Sequence, residues 1–375
     1  MGEVVPIVID NGASMMKAGF AGDDSPRAAF STLIGTPIEE KSMLGIGSTE
    51  DQYIGDRAQS TRGILHLKCP IERGVITNWV GMEKIWDHAF STELRVVTQE
   101  HPILITDKPH VPRSNREKMT EIMFESFQVP GMYVANENKL AVYSSGRNSC
   151  MDLDIGHGCV SILPVYEGYT FPAAIHKYNY GGSDVTEYLA KLLSEKGASF
   201  TTTAEKQIVK GIKEKVCYVS QDYQRDLSSW NPKLFKYELP DTRQIEIEKD
   251  AFMCTEILFN PSLIGIEQPG VHEIVYNAIM DCDIDSRERF FTNILVSGAT
   301  TLFDGFVERL KKEIQKLASE NARVRIVAPP ERLFSVWIGG SILASLSTFQ
   351  NMWITKEEYE ESGTSIVHKK CYTFK

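Results

Sequence analysis

Residues 4–19 read V-V-P-I-V-I-D-N-G-A-S-M-M-K-A-G, and residues 151–158 read M-D-L-D-I-G-H-G. Both are apolar runs that end in an acid and a glycine-rich turn. The first leads into Asp10 and Gly12, the second into Asp154, Gly156 and Gly158. Each pattern predicts a buried strand closing into a hairpin. The two aspartates lie 144 residues apart, far beyond any solenoid period. That spacing predicts two halves of one fold, each presenting a turn to a shared cleft.

Strand and helix signals alternate after each turn. H-P-I-L-I-T, from His101, predicts a buried strand, and N-R-E-K-M-T-E-I-M-F-E-S-F predicts a helix with Asn115 as its cap. S-D-V-T-E-Y-L-A-K-L-L-S-E-K-G starts on capping residues and stops at Gly197. T-T-A-E-K-Q-I-V-K-G-I-K-E-K-V-C-Y predicts another helix. I-G-G-S-I-L-A-S-L-S-T-F predicts a glycine turn running into an apolar helix. The alternation assigns the α/β class.

Glycines let backbone N–H groups approach a phosphate chain closely. Counter-charge must come from lysine or a divalent metal. Asp10 and Asp154 suit a hydrated magnesium ion, which prefers carboxylate and water oxygens. Lys17 lies within reach of phosphate oxygens. A third turn, I-L-V-S-G-A-T-T-L-F-D-G, places Gly298, Ala299 and Thr300 toward a nucleoside. Each turn alone is common in ordinary strand connections. Three in this order, with Lys213 and Glu214 in I-K-E-K, are far more specific.

The 375-residue chain is long enough for two or three domains and carries a net charge of -10. The acidic balance argues against nucleic acid as a partner. Seven cysteines without a C-x-x-C pair argue against a disulfide framework or a zinc site. No basic segment precedes an apolar one at the N-terminus, Ile7 stands where a myristoylation motif needs a hydroxyl, and no apolar run is long enough to span a membrane. Residues 36–56, 224–236 and 259–270 read as surface loops. In the last, Leu263, Ile264 and Ile266 lie between proline turns. Apolar loop residues need a cover, and pattern alone favours packing on their own domain.

Longer runs carry a family resemblance. D-N-G-x-x-M-x-K-A-G-F-A-G-D-D-x-P-R, N-R-E-K-M-T-x-I-M-F-E, Y-E-G-Y, F-T-T-T-A-E, A-P-P-E-R-x-x-S-V-W-I-G-G-S-I-L-A-S-L-S-T-F-Q and S-I-V-H-x-K-C extend from Asp10 to Cys371. The order of the phosphate turns resembles the superfamily of sugar kinases, heat-shock chaperone ATPases and actins. The runs themselves resemble actin.

The resemblance implies a two-lobed α/β molecule with four subdomains around a central cleft holding ATP or ADP with Mg2+ or Ca2+. The outer subdomain would comprise 1–32, 70–144 and 335–375, and the docking-loop subdomain 33–69. The inner subdomain would comprise 145–180 and 267–334, and the inner upper one 181–266. Phosphates would meet Gly12, Ala13, Ser14, Lys17, Gly156, His157 and Gly158. The nucleoside would meet Gly182, Lys213, Glu214, Gly298, Ala299 and Thr300, with the metal near Asp10 and Asp154.

The resemblance also implies cytoplasmic, cytoskeletal filaments formed with itself or other actins. Leu263, Ile264 and Ile266 would then serve as an apolar plug toward the opposite strand. Tyr143, Gly168, Tyr169, Leu343, Leu346, Thr348 and Met352 match the cleft where actin-binding proteins insert apolar helices.

Departures from the family gather at the nucleotide. Ala13 and Ser14 replace serine and glycine in the first hairpin. Ile155 and His157 replace serine and aspartate in the second, so an acid is lost, and a protonated His157 would contact phosphate instead. Glu137 and Ser161 replace the glutamine and histidine that position the attacking water. A carboxylate there repels a triphosphate by about 4 kcal/mol at 4 Å and an effective dielectric near 20, yet it also offers a base. Arg73 replaces a histidine, Ala299 a glycine, and Ser183 and Leu333 basic residues. So many changes around one cleft point to slow or lost hydrolysis.

Only Glu3 remains of the usual acidic N-terminal cluster, which weakens steering of myosin. Residues 372–375 add bulk beside the partner cleft. Two other readings stay open: a non-polymerising subunit that acts as a binding module, and an ATPase or kinase of the wider superfamily, for which no sugar-binding motif is found.

Overall fold

The computed structural model describes residues 4–38, 53–229 and 233–371. Most of the expected docking loop, Glu3 and the residues after Cys371 lie outside these. Among the described residues, two sheets organise the chain. The first contains β1 (Ile7–Asn11), β2 (Met15–Phe20), β3 (Ala28–Ser31), β4 (Ile103–Asp107) and β5 (Gly131–Asn136), in the order β5-β4-β1-β2-β3. The short strand Ile354–Thr355 closes its other edge. β1 and β2 form the predicted hairpin, with Asp10 opposite Lys17. β4 runs parallel to both β1 and β5, pairing Asn136 with Asp107. Ends of parallel strands in an open α/β sheet are where ligands gather.

The second sheet repeats the design. β6 (Cys150–Ile155) and β7 (Val160–Tyr166) form an antiparallel hairpin, and β8 (Ile294–Ser297) runs parallel to β6, with Ser297 beside Asp154. Every residue of β1 and β6 is buried, as central strands covered on both faces require. Two large cores result. One gathers Ile7, Ile9, Met16, Trp86, Phe90 and Trp337, and the other Leu153, Tyr180, Phe290 and Phe306.

Helix α1 (Arg113–Glu125) begins after Pro112. Asn115 is not its cap. It lies inside the first turn, and its side-chain amide donates to Ile76 O at 3.1 Å, because a buried amide finds its partner in the neighbouring turn. Helix α2 (Glu137–Ser144) follows β5 and is capped by Asn136, whose side chain accepts from Lys139 N. Helix α3 (Gly182–Glu195) opens with Asp184 accepting from Gly181 N at 2.8 Å and ends before Gly197, which has a φ of +90°. Helix α4 (Thr203–Val216) carries a reciprocal cap between Thr202 and Glu205.

Helix α5 (Ser335–Ser345) contains Gly339 and Gly340 in its interior, where a glycine turn was expected. The reason is close packing. A Cβ on Gly339 would lie 1.8 Å from Leu140 O, and one on Gly340 2.7 Å from a Val8 methyl. Trp337 anchors the same face by donating to Val8 O at 3.0 Å. Helix α2 in turn packs against α5 and against β6 and β7, so it joins the two halves. Regular structure enters both ends of the loop expected at 224–236: helix Tyr223–Ser228 occupies its start and strand Phe235–Glu238 its end. No helix among the described residues is long and apolar enough to cross a membrane.

Candidate nucleotide site

The two hairpins face each other across a cleft of about 1140 Å³. Its lining includes Asp10, Gly12, Ala13, Ser14, Lys17, Glu137, Asp154, Gly156, His157, Gly158, Lys213, Glu214, Gly298, Ala299 and Thr300. Gly182 stands just behind this wall, where its N–H donates to Gly156 O at 3.1 Å.

The first turn is held from below. Asn11 N donates to Thr106 Oγ1 at 2.9 Å, and the Asn11 side chain donates to Thr106 O and accepts from Trp86 Nε1. Thr32 and Cys69 take the carbonyls of Gly12 and Ala13. Gly12 admits no side chain, because a Cβ would lie 2.2 Å from Met15 O. Asp10 accepts from Thr106 Oγ1 at 3.2 Å and from Lys17 Nζ at 2.7 Å.

All three glycine-turn carbonyls of the second hairpin are engaged. Gly156 O accepts from Gly182 N and from Thr300 Oγ1, His157 O from Ser183 N, and Gly158 O from Arg73 Nη1. Lys213 Nζ donates to Gly182 O at 2.8 Å, and burial pushes its pKa down to about 8. Gly298 has a φ of +85°, and a Cβ there would lie 2.4 Å from Ile155 O. That backbone approach demands glycine. Ala299, replacing the family's second glycine, starts the short helix Ala299–Leu302 without strain.

His157 sits among cations. Burial and the nearby Lys213 and Lys210 push its pKa down to about 3. The positive charge sits elsewhere. Lys108, directly after β4, forms ion pairs with both Asp154 and Glu137. Lys210 on α4 donates to Ser14 Oγ at 2.5 Å across the cleft. Arg73 spans the cleft too. It grips Asp184 with two bonds of 2.6 and 2.8 Å and passes 3.5 Å from Ser183 Oγ. The family's charge at 183 is lost here, and a guanidinium reaches the same place from 73.

Glu137 is 5% exposed. Burial, opposed by Lys108 and reinforced by Asp10 and Asp154, raises its carboxyl to about 7. Ser161 is turned away into a buried chain. It donates to Asn138 Oδ1 at 3.0 Å, Asn138 donates to Asp152 at 2.8 Å, and Ser297 donates to the same carboxylate at 3.1 Å. Asp152 is fully buried, and burial with the nearby Asp154 charge raises its pKa well above the carboxylate range.

The donor set does not fit a divalent ion as it stands. Asp10 and Asp154 are each bonded to an ammonium group. At about 4 Å, a divalent ion and an ammonium repel by roughly 8 kcal/mol at an effective dielectric near 20.

Sequence reasoning did not single out Lys108, Lys210 or Asp152. Lys108 is one residue past a buried strand, and only the parallel register of β4 and β5 brings it beside Glu137.

Beyond the cleft, Leu263 is 37% exposed, whereas Ile264 and Ile266 pack against the second core. Tyr143, Tyr169, Leu346 and Thr348 are exposed, Gly168 turns with a φ of +86°, and Leu343 and Met352 lean on the first core. Tyr143 on α2 and Leu343 on α5 belong to helices packed on each other. The actin family model matches residues 1–372, almost the whole chain. Two hairpin-bearing sheets around one cleft agree with that match, and the protein belongs to the actin family.

Proposed function

We propose that this protein is a cytoskeletal actin-family member that holds ATP in its cleft and turns it over slowly or not at all. It forms cytoplasmic filaments or joins those of other actins. The cleft lined by both glycine hairpins carries the reading. Its volume of about 1140 Å³ exceeds what a nucleotide-sized ligand needs.

Slow turnover follows from the residues that would manage water. Glu137 is tied to Lys108, and Ser161 is tied to Asn138. A base must be free to take the proton that it removes, and both groups are already engaged by protein partners, which supports slow turnover. Bound nucleotide then stabilises the closed chain by mass action, without chemistry.

The exposed residues Tyr143, Tyr169 and Leu346 support docking of apolar partner helices on the outer face. A second reading, a non-polymerising binding module, gains support from the 260s loop. Ile264 and Ile266 cover their own core, which leaves Leu263 as the exposed apolar tip of the expected plug.

One preparation tests both readings. Nucleotide is released by acid from freshly purified protein and separated by chromatography, and the remainder is sedimented in salt and magnesium. Stoichiometric ATP with a pellet supports the first reading. Mostly ADP refutes slow turnover. Bound ATP without a pellet, together with co-purifying partners, selects the binding module. Absence of nucleotide refutes the ATP reading.

A further inference from the structure

Lys108 occupies the point where the two halves bring their acids together. It leaves the end of β4, and its ammonium is shared between Asp154 on β6 and Glu137 at the head of α2. The side chain is only 11% exposed. Its stem passes close to the turn at 73–74, where a Cβ on Gly74 would lie 2.9 Å from Lys108 Cγ. Its tip lies at the foot of the second hairpin, where a Cβ on Gly156 would be 3.7 Å from Nζ. Burial opposes its charge, but Asp154 and Glu137 outweigh burial and hold its pKa well above that of free lysine.

We propose that Lys108, with Lys17 and Lys210, is a built-in counter-charge for phosphate, so that nucleotide binds equally well with or without a divalent cation. The proposal rests on the nucleotide reading of the cleft. Asp10 is paired with Lys17, and Glu137 and Asp154 share Lys108, so two ammonium groups already screen these three carboxylates. An ammonium has three donors. Asp154 and Glu137 take two from Lys108, and among the described residues no partner takes the third, which points to a phosphate oxygen as its acceptor. Lys210 already reaches over the first turn to Ser14, placing a second ammonium on the other side of the phosphate path. A lysine is a point charge fixed by the chain, so its contribution does not depend on dissolved metal.

The test is calorimetric titration of ATP into the nucleotide-stripped, full-length chain, once with magnesium and once with a chelator. The two dissociation constants are expected to agree within about threefold. A weakening of about tenfold or more in chelator overturns the proposal and leaves the nucleotide reading intact. No binding in either buffer overturns both. Lys108→Ala frees Asp154 and Glu137 for a metal. Its affinity is expected to become magnesium-dependent by about tenfold or more. A variant that binds equally well in both buffers, at wild-type affinity, removes Lys108 from the role. If the variant does not fold, the wild-type pair of titrations still decides.

Discussion

His157 shows how a single residue changes meaning with its surroundings. In the sequence it is a lost acid and a candidate cation. In the fold its pKa is depressed from 6.5 to about 3, mainly by burial. The unfolded chain therefore binds the proton that the folded chain refuses. Stability from this group is fully present above pH 6.5 and is lost as the pH falls toward 3. Glu137 acts in the opposite sense: its raised pKa costs stability as the pH climbs from 4.5 to about 7. Comparing variants isolates the histidine. His157→Asn should gain about 1 kcal/mol over the parent between pH 6.5 and 5, allowing for solvent screening. Urea unfolding at both pH values measures it. A constant difference between the two proteins would show that His157 titrates normally.

At the scale of elements, the contact between α2 and α5 decides how closely the halves are joined. Gly339 lets the two helices touch backbone to backbone, since a Cβ there would lie 1.8 Å from Leu140 O. Gly339→Ala must push α5 off α2 and should cost about 3 kcal/mol. Gly63→Ala is the control, because nothing lies within 4 Å of the added methyl. Its effect should stay within about 0.5 kcal/mol. Thermal melts of both variants compare the two sites, and equal melting temperatures would rule out the close contact. A glycine pair in an apolar run reads equally as a turn or as a packing face. Its neighbours settle which, and here those neighbours are Leu140 and Val8, far away in sequence.

Across the whole molecule, the cleft is spanned by contacts that need no ligand. Arg73 binds Asp184 and Gly158 O, Lys210 binds Ser14, and Leu67 N donates to Thr203 Oγ1 at 3.2 Å. Arg73 is the only one of these side chains to offer a two-pronged bond to a carboxylate, although it is itself 42% exposed. Screening limits its value, so Arg73→Ala should cost about 1–2 kcal/mol. It should also speed release of a fluorescent nucleotide by about tenfold, the kinetic counterpart of about 1.4 kcal/mol. Arg73→Lys keeps the charge but loses the fork and should fall between. Release at the parental rate from Arg73→Ala would mean that the cleft is held shut by other contacts.

The sequence by itself determined the two hairpins, the α/β class, the family and the glycine turns that line the cleft. Those features depend on local chemistry: apolar runs that must be buried, glycines that must turn, and acids at strand ends. Asp10, Asp154 and Gly298 were legible for that reason. Tertiary structure decided the electrostatics. Lys108 meets Glu137 only because β4 and β5 run parallel in register, and it meets Asp154 only because the second sheet faces the first. Asp152 becomes a buried, hydrogen-bonded carboxyl only once Asn138 and Ser297 close around it. Ile264 and Ile266 find their cover in a core assembled from distant segments. Charge and burial depend on what lies within a few ångströms in space, and no pattern along one chain segment specifies that.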